Sequence, residues 1–210
     1  MPDSAVATRR DLPGRSAVTV PALRPFRRIG LFAGPGAAKT TTALRVAGAL
    51  KASGRVECEL VLEVVKAWAF QGIPVRGFDQ AFIVAHQIHQ EDIILRASSS
   101  VVISDLPPRL GLAYARHYRA PYAEPLLDLV NAFDQAYPPL NIFLDRGCLP
   151  YSPVGRYQNY EEAVAIDRAI LEQLDRDGAP YARFSPAQGS ELLDFLLQAL
   201  CCGVQPSATP

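Results

Sequence analysis

The chain has 210 residues, 49% hydrophobic and 20% charged, the makeup of one globular domain whose core needs neither disulfide nor metal support. Its 21 basic side chains balance 21 acidic ones, so overall charge cannot hold it to nucleic acid or an anionic membrane, and only a local basic patch could. Cys58, Cys148, Cys201 and Cys202 show no paired metal-ligand spacing and read as reduced thiols of a cytoplasmic protein, and no apolar run is long enough to span a bilayer.

Residues 1–25 are rich in Pro, Ser and Arg and have no periodicity, which predicts a flexible, arginine-rich arm. The first 28 residues carry six arginines against two aspartates without an apolar signal core; a transit peptide is the alternative to an arm. One domain is expected over 26–200 and a flexible tail over 201–210.

Within the domain, RIGLFA near Phe26 predicts a buried strand, and a helix follows from Lys39 to Ala52, stopped by Ser53-Gly54. VECELVLE (56–63) reads as a second strand, followed by a short helix and a turn. Residues 79–98 suit a five-turn helix with Asp79 placed to cap it. VVISD (101–105) is a short apolar strand ending in an acid. Helical stretches at 109–118 and 122–136 lead to strand 140–145. A Gly/Pro/Tyr/Arg segment, an amphipathic helix over 160–177, a strand at YARFS and a closing helix complete the chain. Strands alternating with helices predict an α/β fold: a five-stranded parallel sheet flanked by helices.

LFAGPGAAKTTTALRV (31–46) joins the first strand to the first helix, the place where a phosphate loop belongs. Such a loop points backbone N–H groups at an anion beside a positive helix end, with a lysine reaching the outer phosphates. Gly34 and Gly36 permit close approach and Pro35 stiffens the turn; Ala37, Ala38, Lys39, Thr40 and Thr41 complete the cradle. Lys39 neutralises phosphate charge, and the Thr40 hydroxyl holds Mg²⁺. The pattern G-x-x-x-x-G-K-[ST] asks for glycine where Ala33 and Ala38 stand, and a Cβ at 38 crowds the phosphate or strains the turn.

Asp105 closes an apolar strand, so its carboxylate faces the crevice at the carboxyl edge of the sheet and can orient Mg²⁺ or its waters. Its other reading is a cap on the next helix. Glu63 ends the second strand and can take the proton of an acceptor hydroxyl. Lys66 and Trp68 follow, the indole either stacking on a base or packing in the core. Arg146 and Arg156 bracket a Gly/Pro-hinged segment, as either a lid that closes over a phosphoryl group or a solvated loop. Gln80, Gln87 and Glu91 share one helix face at i, i+7, i+11, to read a base edge or to form a surface stripe.

Taken in order, these parts resemble P-loop nucleoside and nucleotide kinases. ELVLEVVKAWAFQG, FDQAFIVAHQIHQED, VVISDLP and NIFLDRGCLPYSPVGRYQNYEEAVAID are similar to a bacteriophage branch of that superfamily that includes 5-hydroxymethyluracil DNA kinases. The resemblance covers about residues 27 to 185 and implies an ATP-dependent phosphotransferase with a lid, using Mg²⁺. It implies Lys39, Glu63, Asp105 and Arg156 as catalytic residues, with Thr40 and Asp105 at the metal. The reading of the residues themselves adds Arg146 to residues 34–41 around the nucleotide, and Lys66, Trp68, Gln80, Gln87 and Glu91 as contacts to the acceptor. The implied acceptor is the 5-hydroxymethyl group of a modified thymine-like base in phage DNA, a step toward hypermodified bases that resist host restriction. The implied location is the host cytoplasm, with no membrane partner and no particular oligomeric state. A kinase for a free nucleoside, nucleotide or nicotinamide riboside is the second reading, and a non-catalytic nucleotide switch or assembly ATPase the third.

Overall fold

The expected alternation of strands and helices becomes one sheet in the computed structural model, which describes residues 26–202. The arm over 1–25 and residues 203–210 of the tail lie outside the described residues. The elements are β1 (Arg28–Phe32), α1 (Lys39–Ser53), β2 (Cys58–Val61), α2 (Val65–Phe70), α3 (Asp79–Ala97) and β3 (Val101–Ser104). They continue with α4 (Pro108–His117), α5 (Ala123–Ala136), β4 (Pro139–Leu144), α6 (Tyr160–Arg176), β5 (Tyr181–Phe184) and α7 (Gly189–Cys202). The closing helix therefore continues through Cys201 and Cys202, where a frayed tail was expected.

All strand pairs are parallel, in the order β2-β3-β1-β4-β5. β1 lies in the middle, Ile29 beside Ile103 on one flank and Leu140 on the other. The strand period of two sends neighbouring side chains to opposite faces. Leu31 and Ile142 join the core shared with α1 and α7, whereas Phe32 and Phe143 join the core shared with α3, α4 and α6. Burial on both faces is why the strands read as continuous apolar runs. Each fully buried Leu, Ile or Phe stabilises the fold by about 1.5–3 kcal/mol. Among the described residues no helix is long and apolar enough to cross a membrane.

Two sequence expectations are corrected here. Asp79 does not cap α3; its carboxylate accepts the Arg76 N–H at 2.7 Å and braces the preceding turn. Gln87 and Glu91 do not face an acceptor. Both are 1% exposed, held between α3 and the sheet. Gln87 Nε2 donates to Ser104 Oγ at 2.8 Å, and Glu91 Oε2 accepts Arg28 Nε at 2.8 Å. Arg28 also reaches Asp134, which pairs with Arg109, which pairs with Asp177, so buried charges are matched across β1, α3, α4, α5 and the end of α6. The Gln87 and Glu91 part of the stripe thus points inward, where Glu91 satisfies a buried arginine.

Candidate active site

Parallel strands place their carboxyl ends along one edge, and the residues just beyond β1, β2, β3 and β4 gather there. Beyond β1 the loop 33–38 turns through Gly36 at φ 78° and Ala38 at φ 60°, ψ 23°, before α1 begins. Ala38 thus holds the left-handed conformation that a glycine holds easily, at a cost of about 1–2 kcal/mol for a residue with a Cβ. Ala33, at the other departure, is fully buried with ordinary backbone and needs no glycine. Gly34 is required by packing: a Cβ there would lie 2.6 Å from the Ala163 carbonyl oxygen and 2.9 Å from Asp167 Oδ1. A Cβ at Gly36 would fall 2.8 Å from the Tyr151 ring.

Lys39 Nζ donates to the carbonyl oxygens of Ala33 at 2.8 Å and Gly34 at 3.0 Å, so the ammonium lies across the mouth of the loop. Burial pushes its pKa down, while Glu63, Asp105 and Asp167 push it back up. The Thr40 hydroxyl donates to Asp105 Oδ2 at 2.6 Å, and Asp105 Oδ1 accepts the Glu63 N–H at 2.9 Å. Asp105 therefore joins the start of α1 to the ends of β2 and β3, and it does not serve as a cap: Pro107 holds that position before α4. Burial raises the Glu63 pKa; the Lys39 ammonium opposes the rise and the Asp105 carboxylate adds to it.

Beyond β4 comes the lid segment, 145–159, which closes into α6 through a reciprocal cap: Glu162 N–H to Asn159 Oδ1 at 2.9 Å, and Asn159 N–H to Glu162 Oε2 at 2.8 Å. Arg146 Nε donates to Asp167 Oδ2 at 2.8 Å, and its guanidinium lies about 6 Å from the rings of Tyr151 and Tyr160. Arg156 rests 5.3 Å from the Tyr151 ring. The lid sits against the opposite wall: Tyr157 hydroxyl donates to the Ile73 carbonyl, Gln158 Nε2 to Tyr118 hydroxyl at 2.8 Å, and Gly155 packs on the Phe70 ring. Buried Nη1 atoms of Arg146 and Arg156 donate no hydrogen bond, and Arg146 Nη1 points toward Gly36.

One cavity of about 730 Å³ runs over these parts. Pro35, Gly36, Ala38, Lys39, Thr40, Thr41, Glu63, Lys66, Gln80 and Arg156, all singled out in the sequence, line it. Gln80 also donates to the Gly111 carbonyl at 3.0 Å. Gly34, Ala37 and Arg146 support the loop from behind its lining. Trp68 is not in the wall; its indole stacks on Phe82, 6.0 Å between centroids, and packs against the α3–α4–α6 core. Four residues were missed by sequence reasoning. Tyr114, Arg76 and Arg119 line the cavity from α4 and from two turns, and Asp167 holds loop and lid together. Arg119 and Asp167 carry no local motif, while Arg76 beside Gly77 could have been read as a cationic turn.

Residues 28–191 match the AAA domain family. No curated protein sequence matches the chain. Solved structures similar to it include NadR protein in complex with NR, at a TM-score of 0.61 and 13% identity over 88% of this chain and 53% of that one. NadR protein in complex with NAD and AMP-PNP gives a TM-score of 0.62 and 14% identity over 88% of this chain and 52% of that one. The chain spans about half the length of those NadR structures, and identity this low makes the likeness one of fold. A family match over residues 28–191, together with a strand–loop–helix carrying Lys39 and Thr40 and a strand-end Asp105, places the chain in the AAA domain family of P-loop NTPases.

Proposed function

We propose that this chain is an ATP-dependent phosphotransferase that phosphorylates a hydroxyl of a nucleoside-like acceptor. The observation that carries this is a continuous cavity holding Lys39 and Thr40 of the phosphate loop together with a half-buried Glu63, hydrogen-bonded through its N–H to Asp105. The residues suit the groups such a reaction needs. The orphaned Nη1 of Arg156, a residue of the cavity wall, suits a polyphosphate, and the hard oxygens of Thr40 and Asp105 suit Mg²⁺. When bound, ATP supplies the γ-phosphoryl group and Mg²⁺ supplies positive charge at the phosphates.

The chain's own residues do the rest. Loop N–H groups and Lys39 hold the phosphates, and the lid arginines exclude water and spread positive charge over the site. Glu63 accepts the proton of the acceptor hydroxyl. Its raised pKa makes it a stronger base than an exposed glutamate while leaving it ionised above that value. Lys66 and Gln80 contact the acceptor.

The acceptor we favour is the 5-hydroxymethyl group of 5-hydroxymethyldeoxyuridine in phage DNA, a step in thymidine hypermodification that protects against restriction in the host cytoplasm. Its support is the motif set E-x-x-K-x-W, D-Q and G-R-x-Q in this chain. A free nucleoside or nicotinamide riboside acceptor is the second reading, favoured by the fold shared with a NadR protein in complex with NR. Mass spectrometry of nucleosides after incubation with ATP, Mg²⁺ and either 5-hydroxymethyluracil DNA or free nucleosides separates the two. Phosphomethyl-deoxyuridine from DNA supports the first; product from free nucleosides alone supports the second. ATP turnover without any phosphorylated acceptor sinks both and leaves an ATPase switch.

A further inference from the structure

The cavity wall carries cations beyond those of the phosphate loop and the lid. Lys39, Lys66, Arg76, Arg119 and Arg156 line it against a single lining carboxylate, Glu63, in a chain whose net charge is zero. Lys39 and Arg156 belong to the phosphate loop and the lid. Arg76 and Arg119 stand elsewhere, on the turns between α2 and α3 and between α4 and α5.

The two turns are tethered to each other. Tyr122 hydroxyl donates to the Gly77 carbonyl at 2.6 Å, binding one turn to the other, and the Phe78 and Tyr122 rings stack 4.8 Å apart across the junction. The acid nearest in sequence to Arg76, Asp79, is engaged by the Arg76 backbone N–H. Arg76 and Arg119 are exposed at the cavity wall, and among the described residues neither guanidinium makes a hydrogen bond or ion pair, so both are free to meet a ligand; the more buried Arg109 and Arg116 of α4 are saturated by Asp134, Asp177 and Glu124. Arg119 also sits at φ 54°, where the turn after a helix favours Gly or Asn. The local backbone gives no reason for an arginine there, and strain of this kind gathers at binding sites.

We infer that Arg76 and Arg119 form a second anion site, which holds a phosphate group carried by the acceptor itself. The inference rests on the phosphotransferase reading and narrows it: the acceptor is a nucleotide or a nucleic-acid strand, because a neutral nucleoside would leave both cations idle. A terminal monophosphate and an internal phosphodiester present the same anionic oxygens to the pair.

The test is calorimetric titration of the full chain with its phosphate loop saturated by AMP-PNP and Mg²⁺. The probes are 5-hydroxymethyl-2′-deoxyuridine, its 5′-monophosphate, and a trinucleotide carrying it at the centre. A phosphate-bearing probe should bind about tenfold or more tightly than the bare nucleoside, a preference that falls toward unity in Arg76→Ala/Arg119→Ala and survives in Arg76→Lys/Arg119→Lys. The better of the two phosphate probes identifies the source. Equal affinity for all three, binding of none, or a preference that survives the double alanine variant overturns the site. Preferential binding without transfer from ATP supports the site and refutes the phosphotransferase reading, so the two fail separately.

Discussion

Asp167 of α6 accepts the Gly34 N–H at 2.5 Å with one carboxylate oxygen and Arg146 Nε at 2.8 Å with the other. One side chain thereby ties the phosphate loop to the lid, and the loop passes so close to α6 that only glycine fits at 34. The arrangement sets how far Arg146 stands from the loop.

Removing that carboxylate leaves a buried guanidinium unpaired. Asp167→Ala should lower stability by about 3 kcal/mol, whereas Asp167→Asn, which still offers an oxygen to Gly34, should lose about 1–2 kcal/mol. Urea unfolding gives both values. Titration with AMP-PNP should show weaker binding in the alanine variant, because Arg146 is no longer held toward Gly36. An alanine variant with the wild-type urea midpoint and affinity would remove Asp167 from this role.

Ala38 offers the reverse experiment. Its φ of 60° suits glycine, so Ala38→Gly should stabilise the chain by about 1 kcal/mol after allowing for the added freedom of glycine when unfolded. In a protein of this size that raises the melting temperature by about 2–4 °C. Nucleotide affinity should hold or improve. A lower melting temperature would show that the Cβ at 38 contributes packing that outweighs its backbone strain.

Burial raises Glu63 and lowers Lys39, which gives activity two limbs in pH. In the proposed reaction Glu63 is ionised to take a proton, so kcat should rise with pH through a value above the ordinary 4.5. Lys39 must be charged, so activity should fall on the alkaline side at a value below 10.5. The linked stability changes have opposite signs. For Glu63, whose folded value is raised, the contribution is full below 4.5 and lost as pH rises through that raised value. For Lys39, whose folded value is lowered, the contribution is full above 10.5 and lost as pH falls through the lowered value. Glu63→Gln should therefore be more stable than wild type at neutral pH and much less active, with the acid limb gone. An acid limb that persists in this variant assigns it to another group.

Glu91 supplies a control on the corrected face of α3. Glu91→Ala leaves the buried Arg28 Nε unpaired, with Asp134 still holding the other end of the guanidinium, and should cost about 2–3 kcal/mol of stability. Since Glu91 does not line the cavity, AMP-PNP affinity of the folded variant should equal that of wild type. A selective loss of affinity without a loss of stability would return Glu91 to the site.

Strand and helix boundaries were legible because buried parallel strands are continuous apolar runs and Gly54 ends α1 visibly. The order of Lys39, Glu63 and Asp105 was legible for a related reason. In a parallel sheet a polar residue at a strand's carboxyl end falls on one known edge, so position in the chain implies position in space. Trp68 and the α3 stripe were not legible in this way. An indole that packs and one that stacks on a ligand look alike in sequence, and so do a polar helix face that meets a ligand and one that meets a buried cation.

The sequence by itself determined the layer architecture, the location of the phosphate loop and the sheet edge that carries the candidate site, since these follow from local hydrophobic period and chain order. Only the tertiary structure decided which polar groups face the cavity and which neutralise one another in the core. Arg28 meets Glu91 across 63 residues of chain and Gly34 meets Asp167 across 133. Pairings at that separation are set by how helices pack on the sheet, which no local pattern encodes. The same packing left Arg76 and Arg119 without carboxylate partners, among the described residues, at the wall of the cavity.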